Sequence, residues 1–131
     1  MLALLLSSCG DPTAAVEKTL DAREKAMREK DLDAYVALFH PDYVYKEDAT
    51  ETVRQNAERR FAFYKTIMMR THNRRITFEH DGRIARVVQE FEMAVTHAGE
   101  TKRFSGTEHF LLKRESGIFG TTFLFVEGLG V

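Results

Sequence analysis

The chain has 131 residues, enough for one domain with a substantial hydrophobic core. Nineteen basic and twenty acidic residues give a formal net charge of −1, which excludes a global electrostatic case for nucleic acid or anionic membrane binding. Cys9 is its only cysteine, so neither an internal disulfide nor a thiolate metal cluster can form within it.

Asp11-Pro12 opens the first element, a capping residue followed by proline at the first turn of a helix. That helix is expected to run to about Lys30 with an apolar stripe of Val16, Leu20 and Met27, Ala26 beside it. Arg23 interrupts the stripe. It either snorkels outward along its own methylenes or reaches inward to a carboxylate. Residues 31–48 then read as a short helix, a break and a strand. Leu32, Tyr35, Val36 and Phe39 recur at helical spacing, Pro41 forces a turn near His40, and Tyr43, Val44 and Tyr45 favour a strand. Thr52 and Gln55 stand at capping-box spacing. The third helix carries Val53, Ala57, Phe61, Tyr64 and Met68 and is expected to end near Met69.

From Arg70 onward the period changes to alternation. Residues 70–80 form one strand, and Asp81-Gly82 is a two-residue hairpin signal. Residues 83–96 form the next strand. A turn over 97–100 leads to a third strand over 101–113, and Glu115-Ser116-Gly117 turns into a fourth over 118–126. Neither repeats nor interdomain linkers interrupt the chain. Helices followed by a strand meander make the fold class α+β.

The turns set a register. Centring one hairpin on Asp81-Gly82 places Phe78 opposite Ala85, Ile76 opposite Val87 and Arg74 opposite Gln89. Centring the next on Ala98-Gly99 places Met93 opposite Phe104, Gln89 opposite Glu108 and Val87 opposite Phe110. The last turn sets Leu112 opposite Phe119 and Glu108 opposite Phe123. The side-chain period of two puts these on one face, together with Phe91 and Phe125. The face is apolar apart from one row: Arg74, Gln89 and Glu108. A carboxylate among phenylalanines demands hydrogen bonds or a counter-charge. The row is either the floor of a ligand pocket or a buried structural network that includes Arg23. The opposite face mixes Val88, Ala94, Leu111, Leu124 and Val126 with Arg86, Glu90 and Glu92. The five histidines (His40, His72, His80, His97, His109) lack zinc-site spacing, and no glycine-rich phosphate loop or nucleophile motif is present, so neither metal nor cofactor is expected.

Two resemblances extend this reading. Leu6-Ser7-Ser8-Cys9 resembles a bacterial lipobox. Residues 1–10 would then be a partial signal segment ending in lipidated Cys9, and 11–131 the folded domain. With Gly10 after the cysteine, the resemblance implies anchoring in the cell envelope, at the periplasmic side of the outer membrane. The second resemblance rests on D-L-D-A-Y-V-A-L-F-H-P-D at 31–42 and T-E-H-F at 107–110, within a match over residues 14–128. The pattern resembles the nuclear transport factor 2-like superfamily, which includes ketosteroid isomerases, SnoaL-like cyclases and scytalone dehydratase. It implies three N-terminal helices packed in the concave side of a strongly curved, mainly antiparallel sheet, a cone whose mouth holds an apolar ligand. It also implies dimerisation through the outer sheet face.

Carried over residue by residue, the isomerase general base falls on Glu47 or Asp48. The oxyanion-hole acid falls on Glu108, and the oxyanion tyrosine falls on Arg23, a departure that would pair arginine with Glu108. Tyr35, Tyr45 and Tyr64 are further candidates to line the cone. Three functions follow as expectations. The first is a lipid-anchored protein binding a small, mostly apolar molecule with a polar or anionic group, oriented by Arg23, Arg74, Gln89 and Glu108. The second is an isomerase-, dehydratase- or cyclase-like enzyme using Glu47 or Asp48 beside a carbonyl. The third is a non-catalytic dimeric interaction module.

Overall fold

The computed structural model describes residues 11–44, 52–117 and 120–130. Among them the chain forms helices α1 (Pro12–Glu29), α2 (Leu32–Val36) and α3 (Val53–Phe63) and strands β1 (Phe39–Val44), β2 (Thr66–Glu79), β3 (Ile84–His97), β4 (Glu100–Gly117) and β5 (Gly120–Gly130). The strands make one curled sheet in the order β1-β5-β4-β3-β2, antiparallel except for the parallel pair β1–β5.

Local chemistry sets the helix ends. The Asp11 carboxylate accepts from the Thr13 N–H at 3.0 Å and Pro12 occupies the first turn. α1 closes at Lys30, whose left-handed backbone returns its N–H to the Ala26 and Met27 carbonyls. Asp31 caps α2 through the Ala34 N–H. Thr52 and Gln55 exchange both bonds of a capping box at the start of α3.

The expected elements shift in four places. α3 ends at Phe63 rather than near Met69. Tyr64 adopts extended backbone, and Ile67 and Met69 are buried with Met68 exposed between them, an alternation that extends β2 back to Thr66. β1 starts at Phe39 and runs through Pro41, so Phe39 belongs to the strand rather than to α2. Proline is tolerated there because β1 is an edge strand. β4 continues through Glu115-Ser116-Gly117 to meet β5 at Gly117↔Gly120. Leu112 therefore faces Phe125 and Arg114 faces Phe123, in place of the expected Leu112–Phe119 and Glu108–Phe123 pairs. Finally, Phe104 shares the parity of Glu108 but is 46% exposed, whereas the reading put it on the apolar inner face.

The first two hairpins keep the expected register. Phe78 faces Ala85, Ile76 faces Val87, Val87 faces Phe110, Gln89 faces Glu108 and Met93 faces Phe104. At Asp81-Gly82 three successive residues, His80 to Gly82, take positive φ. The interior has two apolar halves. Val16 and Leu20 pack with Ala85, Val87, Leu112, Phe123 and Phe125, while Ala26, Met27, Tyr35, Ala57 and Phe61 pack with Ile67, Met69 and Val95. Arg23 on α1 and Gln89 on β3 fall between the halves in sequence, so a polar layer divides the core.

Candidate functional site

That layer is a ring of hydrogen bonds that leaves α1 and returns to it. Arg23 turns inward from the apolar stripe and grips Glu108 of β4 as a fork, Nη1 to Oε2 at 3.0 Å and Nη2 to Oε1 at 3.1 Å. Gln89 of β3 donates Nε2 to the same Oε2 at 2.8 Å. Arg74 of β2 donates Nε to Gln89 Oε1 at 2.9 Å. Its other nitrogens donate to Asp21 Oδ1 at 3.2 Å and Thr71 Oγ1 at 3.0 Å, and the Thr71 hydroxyl donates to Glu24. Asp21 and Glu24 flank Arg23 on α1, which closes the ring.

A backbone irregularity delivers Arg74. The β2–β3 register slips between His72 and Arg75, where Asn73 takes φ 51°. The extra residue is a β-bulge that re-aims the next side chain. The expected pairing of Arg74 with Gln89 is therefore made by side chains and not by the ladder. The bulge also leaves a depression of about 480 Å³ lined by Asn73, Arg75, Val88, Glu90 and Thr107, with Arg74 and Gln89 at its wall.

An aromatic wall adjoins the ring. The Arg23 guanidinium carbon lies 4.8 Å from the centroid of Phe110. Phe110 packs on Phe125 at 5.0 Å, Phe125 on Phe39 at 5.1 Å, and Phe39 on Tyr35 at 5.0 Å and Tyr43 at 4.9 Å. The Tyr35 hydroxyl interacts with the Arg23 guanidinium, so the wall returns to the cation.

Burial by itself would weaken the charged form of Arg23. The charge of Glu108, then the interaction with Tyr35 and the hydrogen bonds to both, outweigh that cost and hold its pKa above the ordinary arginine value. Glu108 accepts three N–H bonds and donates none. Among the described residues no buried side-chain nitrogen or oxygen lacks a partner.

Of the sequence-selected residues, Arg23, Tyr35, Arg74, Gln89 and Glu108 are thus brought together. Tyr64, at the end of α3, packs against the half of the core that includes Tyr35 and is not bonded into the ring; its ring lies 4.9 Å from Phe63 and its carbonyl accepts from Lys30 Nζ. Cys9, Tyr45, Glu47 and Asp48 lie outside the described residues. Asp21, Glu24 and Thr71 were not legible as members. The two acids sit beside Arg23 in sequence, but only the bulge shows that they meet Arg74. Among the described residues no group of three or more His, Cys, Asp or Glu side chains is placed to hold a metal, and no helix is long and apolar enough to cross a membrane.

A curled sheet over three helices, with a polar layer ending against an aromatic wall, defines a cone-type α+β protein. The SnoaL-like domain model matches residues 16–118, and the chain belongs to that family. Solved structures agree on the fold. A candidate scytalone dehydratase from Novosphingobium aromaticivorans superposes with a TM-score of 0.73 at 15% identity, covering 98% of this chain and 85% of that one. A conserved protein from Planctomyces limnophilus has a TM-score of 0.73 at 14% identity, with 88% and 91% covered. A type 2 hexachlorocyclohexane dehydrochlorinase has a TM-score of 0.71 at 10% identity, with 88% and 81% covered. No curated protein matches the sequence significantly.

Proposed function

We infer that this chain is a lipid-anchored envelope protein whose cone binds a small, mostly apolar molecule bearing a polar or anionic group. The observation that carries this reading is the setting of Arg23: a cation held in place by Glu108, with Phe110 beneath it, Tyr35 beside it, and 10% of its side chain still accessible. A pre-ordered cation at the end of an aromatic wall orients a ligand without reorganising on binding. The anchor is the Cys9 thiol. Metabolic labelling with an alkyne fatty acid is expected to mark the full chain and not Cys9→Ser; unlabelled wild type would remove the anchor from the reading.

The binding role is tested by native mass spectrometry of the full chain purified from its own envelope extract, beside an Arg23→Met, Glu108→Gln variant. A co-purifying small molecule present on the wild type and absent from the variant is expected. Two folded, empty proteins would leave the polar ring a structural device.

A second reading is supported by the dehydratase and dehydrochlorinase named among the structural neighbours: an enzyme in which Glu47 or Asp48 removes a proton next to a carbonyl. Two features weigh against its isomerase form. Arg23 stands where the resemblance puts an oxyanion tyrosine, and Glu108 is an acceptor in all three of its bonds. An enzyme of this kind predicts exchange of a ligand C–H for deuterium in D₂O, abolished in a Glu47→Gln, Asp48→Asn variant.

Dimerisation through the outer sheet face belongs to the same reading. Val88, Ala94, Leu111, Leu124 and Val126 are half-buried in the monomer. Beside them lies a groove of about 620 Å³ whose lining includes Met68, Arg70, Glu92, Ala94, Arg103 and Phe104. Charges of both signs next to exposed apolar side chains suit a self-complementary twofold contact.

A further inference from the structure

We propose that the first half of β4 is a docking edge for an extended, acidic segment of another protein, which joins the sheet as an added strand. β5 pairs with β4 only from His109 to Gly117, so residues 101–107 lie beyond its end. Among the described residues no strand or backbone bond covers that stretch on the side away from β3. The hairpin at Ala98-Gly99 fixes which groups are free. Both residues have positive φ, as in the two-residue turn whose flanking pair, here His97 and Glu100, is hydrogen-bonded. Alternation then turns the N–H and C=O of Glu100, Lys102, Phe104 and Gly106 toward β3 and those of Thr101, Arg103, Ser105 and Thr107 outward. The Thr96 carbonyl, opposite Thr101, accepts from the Lys65 N–H on the β2 side, as this phase requires. The outermost strands of the sheet are blunted, β1 by Pro41 and β2 by the bulge at Asn73. The β4 edge has no register break, and residues 100–105 are exposed.

Charge and register select the occupant. Lys102 and Arg103 point to opposite faces, and neither meets a carboxylate among the described residues. A second copy fits this edge poorly. Set antiparallel about Phe104, its hairpin loop falls opposite His109, where β5 already pairs Gly130. Sliding one bonded step to clear β5 sets Arg103 against Arg103 of the other copy, and a further step sets Lys102 against Lys102; like charges directly opposite repel. A separate acidic strand meets neither obstacle. Running antiparallel, it places adjacent acids on Arg103 and Lys102. On the concave side it lays apolar side chains against Phe104, which is 46% exposed, and over Gly106, which has no side chain of its own. The added bonds lie in the plane of the sheet, so a copy stacked on the outer face leaves them free.

The probe is the peptide acetyl-T-F-T-V-E-E-T-amide, titrated into the isotope-labelled full chain while backbone N–H signals are followed by NMR. The N–H groups of Thr101, Arg103, Ser105 and Thr107 are expected to exchange more slowly with solvent as peptide is added. The same peptide with lysines in place of its glutamates is expected to bind at least about tenfold more weakly. Lys102→Glu combined with Arg103→Glu, both at exposed positions, is expected to invert that preference. Ser105→Pro removes an outward N–H and none of those bonded to β3, and is expected to abolish binding of either peptide. Edge amides left unprotected by the acidic peptide overturn the proposal, as does equal binding of the two peptides. Protection that grows with protein concentration and no peptide would seat a second copy on the edge and overturn it as well.

Discussion

Glu108 draws its three hydrogen bonds from Arg23 and Gln89, which makes it the residue whose removal strands the most charge. Taking away one member of a buried ion pair costs about 3–5 kcal/mol, because the survivor keeps its desolvation cost and loses its attraction. Glu108→Ala is therefore expected to lower unfolding stability by about that amount, while Arg23→Met combined with Glu108→Leu costs less than Glu108→Ala alone. Urea unfolding of wild type, Glu108→Ala and the double variant gives the comparison; a double variant as damaged as Glu108→Ala or more would show that the loss does not come from stranding one charge of the pair. The pH behaviour follows from the raised Arg23 pKa. A base held above its ordinary value contributes stability that is complete below that value and is lost only as pH rises through the higher folded one. The stability gap between wild type and the double variant should accordingly stay level from about pH 7 to about pH 9. A slope in that range, measured by urea midpoints, would place the titration elsewhere.

At the scale of elements, the ring staples α1 to three strands at once: Glu108 on β4, Gln89 on β3, and Arg74 on β2, which returns to Asp21. The bulge at Asn73 is what makes the return possible. The tight hairpin at Ala98-Gly99 spends a left-handed backbone on an alanine, φ 52°, to keep Gln89 opposite Glu108. At the other side of the cone, β5 passes so close to β1 that a Cβ on Gly128 would lie 2.6 Å from the Tyr43 hydroxyl. Gly128→Ala is expected to cost about 1–3 kcal/mol, since Tyr43 is held edge-on against Phe39 and has to move. The cost should fall to about 1 kcal/mol or less in a Tyr43→Phe background, measured as a double-mutant cycle by thermal unfolding. Equal costs in both backgrounds would mean that the hydroxyl is not the obstacle.

At the scale of the molecule, a polar layer between two apolar halves lets a small domain keep a charged group inside without an orphaned donor among the described residues. The helices cover one face of the sheet and leave the other, with Met68 about half exposed on it. If the outer face pairs two copies, sedimentation equilibrium is expected to show a dimer for the full chain and a monomer for Met68→Glu combined with Leu111→Glu. Both substitutions put carboxylates on a face that already holds Glu90 and Glu92, so repulsion adds to lost apolar burial. A monomeric wild type at about 0.1 mM would end that reading.

Much of this was legible before any coordinates. Capping residues announce helix starts because unpaired N–H groups need them, and the starts of α1 and α3 fell at Asp11 and Thr52. Two-residue turns set hairpin register, and a period of two then placed Gln89 against Glu108 on the inner face. The family followed from the stretches 31–42 and 107–110. Where local signals compete, the reading failed. Met68 continues a helical spacing from Phe61 and Tyr64, yet Ile67 and Met69 also alternate, and pairing with β3 decided for the strand. Glu115-Ser116-Gly117 has turn composition, yet β4 runs through it because β5 offers a ladder further along. The direction of Arg23 and the bulge at Asn73 have no local signature. An arginine on an apolar stripe turns inward only if a carboxylate waits there, and a non-glycine residue adopts positive φ only if the surrounding contacts repay it. Chain order thus determined which elements exist and which side chains share a face. The tertiary structure decided which of those side chains close into one ring, since that depends on distances between strands far apart in sequence.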